Sequence, residues 1–313
     1  MAAHRRMHPD EPDVDDVLVA ALLADQMPDL AVGPDGRPRE LRRVADLGTD
    51  HVIHRLGEDL SVRLPKVAWA DGQGARELDL LPRLAPSLPA AVPIPIALGS
   101  PVRGYPFRWY VAPWIKGGRP RTDDPDGLTD LAVELAGFVT ALQSCDTTGA
   151  PTPRRGRRGG PLGDADGATR SAAERLRGTI DPGTGRPVDV DALLRVWDDG
   201  VRSAAWDGAP VWVHGDLSDG NLVVRDGRLV GVIDWSGLVA GDPAVELMCA
   251  WSTFDDGGRT VLRELLGPDD ATWRRGRAWA VSAALQALPY YRDTNPDIVE
   301  RSWRTIAQVT AER

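Results

Sequence analysis

The sequence is poor in the features that mark secreted, membrane-spanning and disulfide-bonded chains. Its two cysteines, Cys145 and Cys249, are far apart and lack metal-ligand spacing, so we expect free thiols in a reducing cytoplasm. The N-terminal stretch MAAHRRMHPDEPDVDD has no apolar segment of the kind a secretory signal requires. No uncharged apolar run reaches the roughly 18 residues of a membrane span. These absences favour a cytoplasmic protein without a membrane partner.

Positive charge and histidine are also scarce. The chain has 37 Lys and Arg against 46 Asp and Glu, a net charge of -9. Nucleic-acid binders derive much of their affinity from basic residues on phosphates, so the composition argues against a nucleic-acid partner. It would suit a cationic small substrate. There are 5 histidines, and all except His214 lie in the first 54 residues, which disfavours a histidine-rich metal centre.

The first 115 residues read as a small sheet with one helix inserted. Helical spacing in residues 11–30 predicts a leading helix, within residues 1–34, that Pro28 ends. Three short alternating runs, ELRRVADLG, DHVIHRLG and EDLSVRLPKV, predict an antiparallel meander. A helix from about Gly74 to Leu84 and two more strands, in IPIALG and FRWYVAPWI, follow it. We therefore predict an N-terminal lobe over residues 1–115.

Residues 116–313 predict a mostly helical second lobe. An apolar stripe marks a helix over 127–144, and residues 150–169 are loop by composition, with four arginines that are either solvated or in contact with an anionic ligand. PVWVHGD, NLVVRDG and RLVGVIDW predict short strands, the last two joined by a turn at Asp226-Gly227. Further helices are predicted at 188–205, 243–254, 258–266, 270–287 and 296–311. The fold class is α+β.

One stretch of this second lobe concentrates polar chemistry. VHGDLSDGN, residues 213–221, carries Asp216 after a buried strand and Asn221 five residues later, and GVIDW brings Asp234 at the end of the returning hairpin strand. The hairpin places these three oxygen-bearing side chains at one end of a small sheet. Hard oxygen ligands suit Mg²⁺, which takes one or two carboxylates and completes its shell with water and phosphate. A nearby carboxylate can accept a hydroxyl proton, so the pattern predicts phosphoryl transfer.

HGDLSDGNLVV, GVIDW and GDPAVEL together resemble the aminoglycoside phosphotransferase family, small-molecule kinases with a protein-kinase-like bilobal fold. The resemblance extends over roughly residues 35–290. It implies that Asp216 orients or deprotonates the substrate hydroxyl and that Asn221 and Asp234 hold Mg²⁺. His214 would brace the loop through hydrogen bonds, and Asp242 would cap the helix that follows it.

The same resemblance implies a nucleotide site in the first lobe, with ATP or GTP as phosphoryl donor. The cation expected on the third strand aligns with Arg63, which would pair with Glu77, while Lys66 is the reserve candidate. Arginine is not equivalent to lysine, because its planar fork grips phosphate or carboxylate through two bonds. No G-x-G-x-x-G element is present, and Gly48 in LGTDHV is the only candidate for a phosphate-covering loop.

The segment YVAPWIKG resembles the family's hinge, where backbone groups of Ala112 and Trp114 would meet a purine ring. Because such recognition uses the main chain, ATP and GTP cannot be separated. We expect a monomer or weak homodimer.

The substrate is the least defined part of this interpretation. Asp255, followed by Asp256, and the pair Asp269-Asp270 lie among aromatic residues and would suit an amino sugar or a glycosylated macrolide. The arginines at 154–158 would not suit a polycation. The leading hypothesis is a kinase for a small-molecule hydroxyl, with an aminoglycoside or related antibiotic as acceptor. Alternatives are a metabolic kinase of the choline, homoserine or fructosamine type, a nucleotide-binding pseudokinase, and a metal-dependent hydrolase.

Overall fold

The computed structural model describes residues 6–8, 10–44 and 48–311. The chain divides into two compact units, one of Met1–Pro86 with Ala91–Lys116 and one of Ser87–Ala90 with Gly117–Arg313. Residues 45–47, which include the end of the first predicted strand and the two residues before Gly48, lie outside the described residues. Residues 1–5, at the start of the predicted N-terminal lobe, lie outside them as well.

The first unit opens with a helix, α1 (Asp16–Gln26), that starts later than residues 11–30 predict. Its start is set by Asp15, whose side chain accepts a hydrogen bond from the Leu18 amide at 2.7 Å. Pro28 ends the predicted segment but also begins a second short helix, α2 (Pro28–Ala31), in the first-turn position that proline tolerates. The buried face of α1 packs in the apolar core of this unit.

The sheet of the first unit has five antiparallel strands in the order β1-β2-β3-β5-β4. Their bounds are β1 Leu41–Arg43, β2 His51–Leu56, β3 Leu60–Pro65, β4 Ala97–Gly99 and β5 Trp109–Pro113. Helix α3 (Gln73–Leu84) follows β3, as the sequence predicts. It approaches β5 so closely that a side chain on Gly74 would begin 2.4 Å from the Tyr110 ring. The predicted meander and its inserted helix are therefore confirmed.

The second unit is mostly helical. Its helices are α4 (Pro125–Gln143), α5 (Asp166–Leu176), α6 (Val190–Arg202), α7 (Cys249–Ser252), α8 (Asp256–Leu266), α9 (Asp270–Tyr291) and α10 (Pro296–Ala311). Two details differ from the sequence prediction. The stretch 150–169 is not loop to its end, because a helical turn at Leu162–Ala165 leads into α5. The helix predicted at 243–254 is mostly a tighter 3₁₀ segment, Pro243–Met248, followed by α7.

Short strands of the second unit carry the polar segment 213–221. β7 (Leu222–Arg225) and β8 (Arg228–Val232) form the predicted hairpin, and its turn residues Asp226 and Gly227 have φ of 52° and 76°. Glycine and aspartate tolerate this left-handed conformation, which a two-residue hairpin turn requires. β6 (Val211–Val213) pairs instead with β9 (Val239–Gly241), a strand that the sequence does not predict.

The arginine-containing loop adds to the edge of β9. Ala240 donates to the Pro151 carbonyl and Asp242 to the Gly159 carbonyl, each at 2.8 Å. A side chain on Gly241 would begin 2.2 Å from the Gly159 oxygen, so this close approach requires glycine. The docked loop thereby fixes where Arg158 lies.

No helix among the described residues is long and apolar enough to cross a membrane.

Candidate active site

The 214–221 loop leaves β6 through a sharp backbone turn. Gly215 has a φ of 78°, in the left-handed region that favours glycine. Gly237 packs beneath the same turn, where a side chain would begin 2.6 Å from the His214 carbonyl oxygen. The two glycines allow the loop to reverse direction immediately after the strand.

Asp216 and Asn221 are in direct contact within this loop. The Asn221 side-chain amide donates from Nδ2 to the Asp216 carbonyl oxygen at 2.8 Å and to its carboxylate Oδ2 at 3.0 Å. Because Nδ2 serves Asp216, the remaining acceptor of the Asn221 side chain is Oδ1, the atom a hard cation would bind. One residue thus links the predicted base to the predicted metal position.

Arg158 holds the other carboxylate oxygen of Asp216. Its Nη1 donates to Asp216 Oδ1 and, at 3.0 Å, to the Gly215 carbonyl oxygen. Burial raises the pKa of Asp216, but the guanidinium groups of Arg158 and Arg301 outweigh this effect and lower it. Asp216 is therefore an ionised carboxylate at neutral pH. From the sequence, the four arginines were expected to be solvated or to contact an anionic ligand, and the contact of Arg158 with Asp216 was not predicted.

His214 connects the backbones of the two carboxylate-bearing segments. The Asp216 amide donates to Nδ1 at 3.2 Å, so Nδ1 carries no proton, and Nε2 donates to the Ile233 carbonyl at 3.1 Å. Burial lowers the pKa of His214, which favours the neutral ring that this pattern requires. The ring packs edge-on against Trp235 with centroids 4.8 Å apart. These are the contacts through which His214 would brace the loop, as the resemblance implies.

Asp234 follows directly from the end of the hairpin. Leu222 pairs with Val232, and the Ile233 amide donates to the Asn221 carbonyl at 2.9 Å, so Asp234 comes one residue after the position opposite Asn221. Its φ of 62° is unusual for aspartate, and its side chain caps the next turn by accepting from the Ser236 amide at 3.4 Å. Non-glycine residues in this conformation carry strain of about 1–3 kcal/mol and cluster at functional sites.

The oxygen atoms of Asn221 and Asp234 fit a magnesium ion whose remaining ligands are not protein side chains. Asn221 Oδ1 and the Asp234 carboxylate are hard oxygen ligands brought to the same end of the hairpin. Within the described part of the chain, no three His, Cys, Asp or Glu side chains gather into a metal-binding group. An ion held here would therefore need water or substrate phosphate to complete its coordination.

Glu246 is a buried carboxyl behind the loop that sequence reasoning missed. It is 1% exposed and accepts from the Gly215 amide at 2.7 Å. Burial raises its pKa to about 7, although the Gly215 and His214 amides lower it. Its other oxygen has no hydrogen-bond partner among the described residues. The signal that could have found it is an acidic residue inside the apolar run of GDPAVEL.

The first unit brings two of the predicted nucleotide residues together. The buried ammonium group of Lys66 donates to the Gly48 carbonyl at 3.1 Å, so this lysine contacts the predicted phosphate-covering loop. A side chain on Gly48 would begin 2.8 Å from the His51 carbonyl oxygen. Arg63, in β3, and Glu77, in α3, are both buried, and Glu77 accepts from the Gln73 side chain at 2.7 Å.

The predicted hinge residues lie at the end of β5. Ala112 pairs with Ser61, whose hydroxyl donates to the Ala112 carbonyl at 3.1 Å. The Trp114 amide donates to the Asp59 carbonyl at 2.8 Å, and the Arg55 guanidinium lies over the Trp114 ring, 5.2 Å from its centroid.

The predicted substrate carboxylates all have partners within the second unit. Asp255 caps α8 by accepting from the Gly258 amide at 2.9 Å, and Asp256 pairs with Arg259. Asp269 caps α9 by accepting from the Thr272 amide at 2.6 Å, and Asp270 pairs with Arg263 at 3.0 Å. All four carboxylates therefore have a local structural role, two as helix caps and two in ion pairs with arginine.

Solved structures share this fold. An APH(2″) enzyme in complex with GDP and kanamycin is similar with a TM-score of 0.70 and 16% identity, covering 95% of this chain and 100% of that one. The macrolide 2'-phosphotransferase MphH from Brachybacterium faecium is similar with a TM-score of 0.59 and 22% identity, covering 92% and 97%. No curated protein sequence matches the chain.

The five-stranded antiparallel sheet and the mostly helical second unit define a kinase-like fold, that of nucleotide-dependent phosphotransferases with an alcohol group as acceptor. A model of the phosphotransferase enzyme family matches residues 40–279, and the chain belongs to that family.

Proposed function

We propose that this protein transfers the terminal phosphoryl group of ATP or GTP, with Mg²⁺, to a hydroxyl of a small molecule of the antibiotic or amino-sugar type. Asp216 orients the substrate hydroxyl or accepts its proton, while Asn221 and Asp234 hold the metal. Arg63 and Lys66 are the candidate phosphate ligands. The proposal includes two features that only the sequence supports, a cytoplasmic location and a monomer or weak homodimer.

The observation that carries the proposal is the pair of Asn221 bonds to Asp216. Arg158 and the Asn221 amide each hold one oxygen of an ionised Asp216, which fixes the carboxylate for orienting a hydroxyl, and the same amide leaves its own oxygen for the metal. When bound, Mg²⁺ would neutralise charge on the transferred group. The remaining role of these residues is to position the reactants, because phosphoryl transfer requires little covalent chemistry from the protein.

Two families of solved relatives support an antibiotic acceptor. The similar structures include enzymes named for aminoglycosides, some of them solved with GDP, ATP or ADP, and enzymes named for macrolides. A metabolic kinase of the choline, homoserine or fructosamine type remains the alternative.

The test is Asp216→Asn in a nucleotide-turnover assay with ATP and GTP against aminoglycosides, macrolides and small amino alcohols. We expect transfer to fall by at least about 10²-fold while Mg-nucleotide binding, measured by calorimetry, is unchanged, because Asn keeps the shape but cannot take the proton. Asp234→Ala should instead abolish the Mg²⁺ dependence of nucleotide binding. Near-wild-type turnover in Asp216→Asn would contradict the assignment of this residue.

A further inference from the structure

The 214–221 loop is surrounded by guanidinium groups although the protein as a whole carries a net charge of -9. Arg158 reaches the loop at Asp216, and Arg301 reaches it at Ser218 and Asp219. Arg304 joins Arg301 on the same carboxylate of Asp219, at 2.8 Å. Three guanidinium groups thus face the carboxylates of Asp216 and Asp219, and two of them, Arg301 and Arg304, share Asp219.

Arg304 is the structural member of this group. It donates to the Ser252 carbonyl from Nε and Nη2, to the Thr122 hydroxyl from Nη1 and to Asp219 from Nη2. These bonds hold α10 against the loop and use most of its donors. Arg304 therefore has little capacity left for a ligand.

Arg301 and Arg158 are different, because both keep donors free. Arg301 uses Nη1 for the Ser218 hydroxyl at 2.9 Å and Nε for an ion pair with Asp219 at 2.6 Å. Among the described residues, no acceptor meets its Nη2, and none meets Nε or Nη2 of Arg158. A methyl group on Gly220 would lie 3.0 Å from Arg301 Nη2, so glycine leaves that side of the guanidinium open. The side chains of Arg301 and Arg158 are 19% and 38% exposed.

We propose that Arg301, together with the free donors of Arg158, binds an anionic group of the acceptor substrate. This group is a carboxylate or phosphate near the hydroxyl that Asp216 orients. Planar guanidinium groups bind both anions through paired hydrogen bonds. This inference rests on the proposed transfer of a phosphoryl group to a small-molecule hydroxyl. Among the candidate acceptors it favours anionic or zwitterionic molecules, as for a metabolic kinase of the homoserine type, over cationic antibiotics.

The first experiment titrates inorganic phosphate, at constant ionic strength, into protein saturated with Mg²⁺ and a non-hydrolysable nucleotide analogue. We expect saturable binding in the wild type, at least tenfold weaker binding in Arg301→Gln, and an intermediate affinity in Arg301→Lys, which keeps the charge without the fork. The matched control is Arg225→Gln, an exposed arginine at the end of β7, which should leave the affinity unchanged. Absence of saturable binding, or equal affinity in Arg301→Gln and the control, would overturn the proposal.

The anion could instead belong to the nucleotide, and the same variants distinguish the two sources. Mg-nucleotide affinity, measured before phosphate is added, should agree within about twofold among wild type, Arg301→Gln and Arg225→Gln. An equal loss of nucleotide and phosphate affinity in Arg301→Gln would assign the group to nucleotide binding and reject the acceptor site. The measurement of Mg-nucleotide affinity also tests the proposed function separately. If the wild type shows no Mg-dependent nucleotide binding, the proposed function is wrong, whatever the result of the phosphate titration.

Matched small molecules then test the chemical class. Glycerol 3-phosphate and glycerate should displace bound phosphate from the wild type, while glycerol and kanamycin should not. If kanamycin is phosphorylated and Arg301→Gln leaves its kcat/KM unchanged, the acceptor is a polycation and the proposal is wrong.

Discussion

Glu246→Gln should change how the stability of the protein depends on pH. In the folded protein the pKa of Glu246 is about 7, against an ordinary value of 4.5. A carboxyl group with a raised pKa contributes stability below its unfolded value, and that contribution is lost as pH rises through the folded value. The wild type should therefore lose stability between about pH 4.5 and 7 through this residue, and glutamine removes the effect.

The size of the change follows from the two pKa values. At about 1.4 kcal/mol per pH unit, the gap between 4.5 and about 7 corresponds to about 3 kcal/mol. Glutamine keeps an acceptor for the Gly215 amide, so the hydrogen bond at 2.7 Å need not be lost. The free energy of unfolding of the variant, relative to wild type, should then rise by about 2–3 kcal/mol between pH 5 and 8.

Urea unfolding followed by tryptophan fluorescence measures this difference, since Trp235 packs against His214 beside the loop. Comparing the two proteins at each pH removes the contributions of all other titrating groups that they share. A difference that stays constant from pH 5 to 8 would show that Glu246 is ionised throughout, and the assigned cause, burial of an uncompensated carboxyl, would be wrong.

Two further predictions concern other buried charges. Arg275→Met should destabilise the protein by about 3–5 kcal/mol. Arg275 binds both carboxylate oxygens of buried Asp242, at 2.7 and 3.1 Å, and its loss leaves that charge unpaired. Chemical unfolding measures the change in stability, and a change near zero would contradict the prediction. Arg63→Ala should weaken nucleotide affinity, measured by calorimetry, more than Lys66→Ala does, and the reverse order would show that the lysine on the Gly48 carbonyl is the phosphate ligand.

Local patterns predicted the fold, and they identified the hairpin that carries the candidate site residues. The alternation of β2 and β3 and the Asp226-Gly227 turn are encoded by adjacent residues, and so is the spacing of Asp216, Asn221 and Asp234 around the hairpin. Such features need only short-range chemistry, so a single sequence reveals them.

The parts that were missed depend on contacts between distant segments. Arg158 lies 58 positions before Asp216 and reaches it only because its loop docks on β9, a strand of three residues without a clear alternating pattern. Glu246 contacts Gly215 from 31 positions away. Likewise, α5 is buried through small residues such as Thr169, Ala172 and Ala173, which give a weak apolar stripe.

The neutral His214 ring has a consequence for how such a protein can vary. By bonding to the Asp216 amide with one nitrogen and to the Ile233 carbonyl with the other, it fixes the spacing between the segments that carry Asp216 and Asp234. Helix α10, which carries Arg301, is not part of that crosslink. Side chains of α10 can therefore change without altering the distance between the Asp216 and Asp234 backbones, so the surroundings of the loop can vary while its own geometry is kept.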